Sequence, residues 1–303
     1  MRRLLLLLAL LPLLASCDFA FHWDVIALDE NPFDPPQEIA SGKGPSDRLS
    51  FAVISDVHLN KELSEEGVYR NDSVFLSFLE TENPDAVFIL GDLVEDGIER
   101  DYREAGLFLD KVRSAASCPV IYTLGNHDIG GSDLETWSAE FGLSATEAFT
   151  IADTVIYKLN SAYRLFGQSQ LSYLSQAIGD DGAAYHIILS HIPLGSKGLN
   201  QSLFEFTIAD IDERNALLDI LSGSGRNLIL SGHVHSIEVM NDWDDDLKEF
   251  IFSAYHRKDL PFFGARGTFY LLELDQATGR VEIKGYGIDN ADSAVMEVSF
   301  TLE

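Results

Sequence analysis

The chain has 303 residues, enough for one large domain or two small ones. A hydrophobic content of 46%, with 11% aromatic, supports a sizeable core and argues against global disorder. The net charge of −28 repels polyanions, so sequence-independent binding to duplex nucleic acid or to anionic headgroups is disfavoured, while a small anionic substrate would need positive charge supplied locally by metal ions.

At the N-terminus Arg2 and Arg3 precede an apolar stretch, Leu4 to Leu14, that is too short for a membrane span. It ends in Leu14-Ala15-Ser16-Cys17, which resembles the lipobox of bacterial lipoproteins. That resemblance implies a signal peptide over 1–16, lipidation of Cys17 and a membrane anchor followed by a tether over 17–47. The location would be the bacterial cell envelope outside the cytoplasm, in the periplasm. An ordinary signal peptide with an incidental cysteine, or a buried helix, is the other reading. Asn31-Pro32, Asp34-Pro35-Pro36 and Ser41-Gly42-Lys43-Gly44-Pro45 break regular structure in the tether, although Phe19 to Leu28 is apolar enough to dock. His22, within it, reads as a surface or packing residue. Cys118 would then be the one remaining thiol and reads as a small buried residue.

A single folded domain is expected over 48–303. Leu49 to Ile54 is a β-rich run ending in Ser55-Asp56-Val57-His58, followed by an irregular acidic stretch and a helical pattern from Val74 to Leu79. Ala86 to Leu90 is an apolar strand that stops at Gly91-Asp92. Tyr102, Ala105, Leu109 and Val112 recur at helical spacing, Val120 to Leu124 is a strand ending in Gly125-Asn126-His127-Asp128, and 133–141 reads as helix. Strand alternating with helix argues for parallel strands, whose carboxyl ends are where such sheets place their sites. The second half is richer in strands. A hairpin is expected around Asp153-Thr154, a helix over 168–178, a strand from Ala184 to Leu189 running into Ser190-His191, and a helix over 208–221. Asn227 to Leu230 ends at Gly232-His233-Val234-His235, and further strands fall near 250–254, 268–274, 281–286 and 295–302.

Five polar clusters thus close five apolar runs. Asp56 and His58, two apart in what reads as extended chain, would face the same side, as would His233 and His235 with Val234 turned away. Carboxylate, imidazole and amide donors together suit Mn, Fe or Zn rather than an all-oxygen Mg or Ca site, and the two oxygens of Asp92 can bridge a pair of ions. An accidental set of polar loop residues is the alternative.

The ordered set Asp56-Val57-His58, Gly91-Asp92, Gly125-Asn126-His127-Asp128, His191 and Gly232-His233-Val234-His235 resembles the calcineurin-like metallophosphoesterase superfamily, over about residue 49 to at least 240. The resemblance implies a four-layer α-β-β-α sandwich of two mixed sheets in the α/β class. It implies two divalent or trivalent transition metal ions (Mn, Fe or Zn), one on Asp56, His58, Asp92 and His235, the other on Asp92, Asn126, His191 and His233. A metal-bound hydroxide would attack the phosphorus of a small phosphate-ester substrate, a phosphodiester or a phosphomonoester. His127 would protonate the leaving oxygen, with Asp128 orienting its imidazole. Purple acid phosphatases carry a ligating Tyr three residues after the bridging Asp. Glu95 stands there in this chain, which places it nearer the non-purple branches. A noncatalytic metal- or ligand-binding lipoprotein of the same fold is the second functional reading. Among the remaining candidates, His186 reads as a satisfied core residue and His256 as a surface residue. Tyr69, Arg70 and Lys197 lie where they could line the mouth of the site, and Asp242 to Asp246 reads as a solvated acidic loop.

Overall fold

Phe51-Ala52-Val53-Ile54 is apolar on both faces, the pattern of a strand covered on both sides. In the computed structural model, which describes residues 33, 35–41, 43–44, 47–195, 206–236, 238–258 and 265–303, it forms β2 (Arg48–Ile54) of a six-stranded sheet. On one side of β2 lie β4 (Ala86–Ile89) and β5 (Val120–Tyr122), both parallel to it. On the other lie β14 (Thr268–Asp275), β15 (Arg280–Gly287) and β16 (Met296–Thr301), each antiparallel to its neighbour.

A seven-stranded sheet faces it. Its order is β1 (Gln37–Glu38), β6 (Glu147–Ile151), β7 (Thr154–Lys158), β8 (Tyr185–Leu189), β9 (Arg226–Ser231), β11 (Leu247–Ile251) and β10 (Val239–Asp244). Strands β7, β8, β9 and β11 run parallel. A small third sheet joins β3 (Val68–Tyr69), β12 (Arg257–Lys258) and β13 (Ala265–Arg266).

Alternation along β2 divides its side chains between two cores. Phe51 and Val53 meet Phe88, Leu189, Leu230 and Leu272 in the layer between the sheets. Ala52 and Ile54 face outward, under α2 (Asp72–Glu82) and α3 (Glu99–Ala116), with Phe75, Leu79, Tyr102 and Leu109. The outer face of the seven-stranded sheet is covered by α5 (Gln168–Asp180) and α6 (Ile211–Leu221) through Leu171, Leu174, Leu217 and Leu221. The result is the expected four-layer α-β-β-α sandwich. Two shorter helices, α1 (Lys61–Ser64) and α4 (Leu134–Phe141), sit at the loop ends. Among the described residues no helix is long and apolar enough to cross a membrane.

Several expectations change. Part of the segment read as tether is built into the fold: Gln37 and Glu38 pair in parallel with Phe149 and Thr150, and Phe33 and Ile39 are buried, because the edge strand β6 offers free backbone groups there. Asp242 and Asp244 are not in a loop but in β10, with Lys248 Nζ 2.8 Å from Asp242, and the polar alternation reflects an edge strand with one wet face. The strand expected over 250–254 is displaced to 247–251, and α1 occupies part of the stretch read as irregular. Cys118 is half-buried against the outer core, where burial, with Asp85 nearby, pushes its thiol up to about 11. His186 is the satisfied core residue expected, with Nδ1 3.0 Å from Asn227 Oδ1 and Nε2 3.3 Å from Asp181 Oδ1. Residues 1–32, including Cys17 and His22, lie outside the described residues, as does Lys197.

Candidate metal centre

Parallel strands β2, β4, β5, β8 and β9 all end at one rim, so the loops that follow them meet there despite their separation in sequence. Two donor groups result. Asp56, His58, Asp92 and His235 place one ligand atom each within 4.8 Å of one another, and so do Asp92, His191 and His233. Asn126 completes the second, its Oδ1 3.2 Å from His191 Nε2. Asp92 belongs to both groups, with Oδ2 3.6 Å from His58 Nε2 and 3.2 Å from His191 Nε2. His235 Nε2 lies 3.1 Å from both Asp56 Oδ1 and His58 Nε2.

The backbone achieves this convergence differently from the extended arrangement expected. Asp56 and His58 have φ of 52° and 49°, Asp92 49°, and His233 and His235 69° and 58°, all in the left-handed region. Left-handed residues at i and i+2 turn both side chains inward while Val57, between them, is buried in the outer core. Gly91 also has positive φ, +83°, and a Cβ there would strike the His191 ring. Gly125 is required by close approach: its own φ is not positive, but a Cβ there would collide with the backbone nitrogen and carboxylate of Asp92.

Three of the ligands are held by partners behind them. His58 Nδ1 is 2.6 Å from Glu95 Oε2, and Lys61 Nζ is 3.0 Å from both oxygens of that carboxylate. His191 Nδ1 donates to the Leu90 carbonyl at 2.7 Å, leaving Nε2 for the centre. Asp56 Oδ2 accepts from Ser55 Oγ at 2.6 Å and from the His233 amide at 2.9 Å. Three buried atoms of these groups receive no hydrogen bond: Asp56 Oδ1, Asp92 Oδ2 and His233 Nδ1. Orphaned buried acceptors converging in mixed carboxylate–imidazole groups are what a cation requires, and the donor set fits transition metals.

Electrostatics favour the same state. Burial pushes the Asp56 and Asp92 carboxyls up, but His235 and His191 respectively, with their neighbouring imidazoles, hold both below the usual carboxylate range. Burial, reinforced by His235 and His256, keeps His58 well below the ordinary histidine value. Burial and His191 bring His233 down to about 4. His191 alone goes the other way: against burial, Asp92 and Asp56 raise it to about 9. Ionised carboxylates with largely neutral imidazoles are the forms that bind metal, and ion binding would release the His191 proton.

Asp128 does not do what was expected of it. It is buried, and its carboxylate accepts from the backbone nitrogens of Gly125 (2.7 Å), Asp92 (3.0 Å) and Val94 (3.1 Å). Burial and the adjacent Asp92 raise it to about 7. Residues 127–129 form a single 3₁₀ turn, in which neighbours point about 120° apart, so Asp128 ties the loops together while His127 faces the cavity. His127 Nδ1 donates instead to the Glu95 carbonyl at 2.7 Å.

His256 is a second correction. It is buried rather than on the surface, its Nδ1 donates to the Asp56 carbonyl at 2.8 Å, and its ring stands edge-on at 5.2 Å from those of His58 and His235. The Tyr255 amide bonds the Ser55 carbonyl at 2.8 Å, so the chain after β11 runs beside the Asp56 loop, a long-range pairing that no local pattern announces. Arg70 and Tyr69 do not line the cavity. Arg70 Nε bonds Asp72 at 2.8 Å, and the Tyr69 ring lies 5.0 Å beneath the Arg257 guanidinium.

Two relatives share 26% identity with the chain. One is a probable cyclic nucleotide phosphodiesterase of a Synechococcus strain, aligned over 63% of this chain and 75% of its own length. The other is a probable cyclic nucleotide phosphodiesterase of Coxiella burnetii, aligned over 68% and 82%. Among solved structures, a dimetal phosphatase from Danio rerio superposes with a TM-score of 0.57 at 15% identity, covering 84% of this chain and 99% of that one, which supports the shared fold. Residues 49–236, more than half of the chain, match the model of the calcineurin-like phosphoesterases, and the protein therefore belongs to that family of metal-using hydrolases of phosphoric esters.

Proposed function

We propose that the chain is a dinuclear metal-dependent phosphodiesterase. The observation that carries this reading is the Asp92 carboxylate, whose Oδ2 lies between two donor groups and has no hydrogen bond of its own. Asp56, His58, Asp92 and His235 would hold one ion, and Asp92, Asn126, His191 and His233 the other, with Mn, Fe or Zn as the metals. Bound ions of this kind acidify water and neutralise phosphoryl oxygens.

The protein's own groups supply the rest. The Nδ1 proton of His127 is committed to the Glu95 carbonyl, so a proton exchanged with the leaving oxygen moves at Nε2. Glu95 and the Leu90 carbonyl fix the rings of His58 and His191 with Nε2 inward. A diester is favoured over a monoester by the names of the two relatives, each a probable cyclic nucleotide phosphodiesterase.

The test is hydrolysis of bis(p-nitrophenyl) phosphate, p-nitrophenyl phosphate and a cyclic nucleotide by protein reconstituted separately with Mn, Fe and Zn, alongside metal analysis. Two ions per chain and faster diester turnover are expected. Two ions without turnover on any ester would establish a noncatalytic binding protein instead. We also propose that Cys17 is lipidated and anchors the protein in the envelope, supported by residues 2–17. Cys17→Ser should release it from the membrane fraction, and retention there would end the proposal.

A further inference from the structure

The cavity in front of the metal centre, about 300 Å³, is walled among the described residues by the polar Asp92, His127, His233, His235 and Ser236, together with Val234 and the phenyl ring of Phe206. Phe206 is 42% exposed, so one face of its ring is open at the mouth of the cavity. Its ring centre lies 6.0 Å from that of His233, tilted by 53°.

Its position is anchored by the residues that follow it. Thr207 and Ile208 are buried, the Thr207 carbonyl accepts from Arg164 Nε at 2.9 Å, and the Ile208 amide donates to the Pro193 carbonyl at 2.9 Å. The ring is therefore held at the mouth by the same loop system that carries His191.

We propose that Phe206 is the stacking platform for a nucleobase, so that the substrate is a nucleoside ester of a single phosphate. This rests on the phosphodiesterase reading above and adds the chemistry of the substrate's organic part. Two features carry it. First, no Lys or Arg is among the described residues lining the cavity. A phosphoryl group at the metal centre can be held there, whereas among the described lining residues a second or third phosphate meets no cation, which favours a single phosphate. Second, the apolar surface that the described residues offer is the flat ring of Phe206 with the side chain of Val234, bordered by imidazoles and a hydroxyl. A planar π-system covers such a surface, whereas an acyl chain needs a longer contiguous apolar track.

The test compares two probes that differ only in the base, adenosine 5′-monophosphate and ribose 5-phosphate, on the metal-loaded protein. Both are measured by calorimetric binding and as competitive inhibitors of bis(p-nitrophenyl) phosphate hydrolysis. The adenosine compound should bind about tenfold tighter, within the range of one base stacked on an aromatic ring. Phe206→Ala should collapse that ratio toward one, and Phe206→Trp should preserve or widen it. Equal binding of the two probes by the unmodified protein overturns the proposal, as does an undiminished ratio in Phe206→Ala. Tighter binding of decyl phosphate than of the adenosine compound would identify an acyl-chain surface and overturn it too. Because calorimetry needs no turnover, failure here is distinct from failure of the phosphodiesterase reading, which shows as absence of hydrolysis.

Discussion

The two sheets bring different chemistry to the same rim. From the loops of the six-stranded sheet come both carboxylates, Asp56 and Asp92, with His58 and Asn126. From the seven-stranded sheet come imidazoles only, His191, His233 and His235. Neither set is a complete site. The anionic half would leave two buried carboxylates without countercharge, and the imidazole half carries no charge to attract a cation. The centre therefore depends on sheet docking, and a bound ion would in turn fasten the sheets at the end of an otherwise apolar seam.

The most severe test of this asymmetry is Asp92→Ala beside His191→Ala. Loss of the shared carboxylate should empty both positions and lower diester turnover by about 10³-fold or more, whereas loss of the imidazole should leave one ion per chain. Metal analysis with steady-state kinetics separates the two, and two ions retained in Asp92→Ala would end the shared-ligand assignment.

A smaller effect is expected from Glu95→Gln, which removes charge behind His58 in the six-stranded half. Metal affinity there should fall about 10- to 100-fold, read by competition with a chromophoric chelator, and His191-side affinity should change less. An undiminished affinity would reduce Glu95 to a partner of Lys61.

If the ions fasten the sheets, chelation should lower Tm by about 5–10 °C, the shift that saturating ligand gives a chain of this size. An unchanged Tm would mean that the docked sheets need no ion.

The smallest effect separates the halves by sign. Glu249, on β11, is fully buried and accepts from the Leu194 amide (2.9 Å), Asn241 Nδ2 (2.9 Å), Ser231 Oγ (3.1 Å) and Trp243 Nε1 (3.1 Å), so it ties the His191 loop to the strand leading to His233. Burial raises its carboxyl above the ordinary value. Between that value and the raised one the native state binds more protons than the unfolded chain, so its contribution to stability declines as pH rises through this window. Asp56 and Asp92, lowered, contribute stability above the ordinary carboxylate range that is lost as pH falls through their folded values. In metal-free protein, Glu249→Gln should remove the part of that decline owed to Glu249 while leaving the acid-side loss through Asp56 and Asp92 in place. Denaturant titrations over pH decide this.

What could be read from the sequence was whatever a single strand or helix expresses locally. Apolar runs located β2, β4, β8 and β9 within a residue or two, and helical spacing located α3. The polar residues closing those runs are the ones the structure gathers at the rim. Properties created by one segment lying on another were not legible. Asp128 next to His127 suggested a pair, but the direction of a side chain in a 3₁₀ turn is not a matter of adjacency. His256 looked peripheral because its partner, the Asp56 carbonyl, is 200 positions away. The parallel pairing of Gln37 and Glu38 with β6 has no hydrophobic signature at all.

The left-handed backbone at Asp56, His58, Asp92, His233 and His235 has a consequence for how such a protein changes over time. Each non-glycine residue in that region costs roughly 1 kcal/mol or more relative to one suited to it, so the ligand loops are strained when considered without their ions. Glycine or asparagine at positions 58 or 235 would relax the chain while removing a ligand. Mutational drift therefore favours replacement of these histidines, and only selection for the chemistry opposes it. A gene copy released from that selection would be expected to become firmer as it became inert.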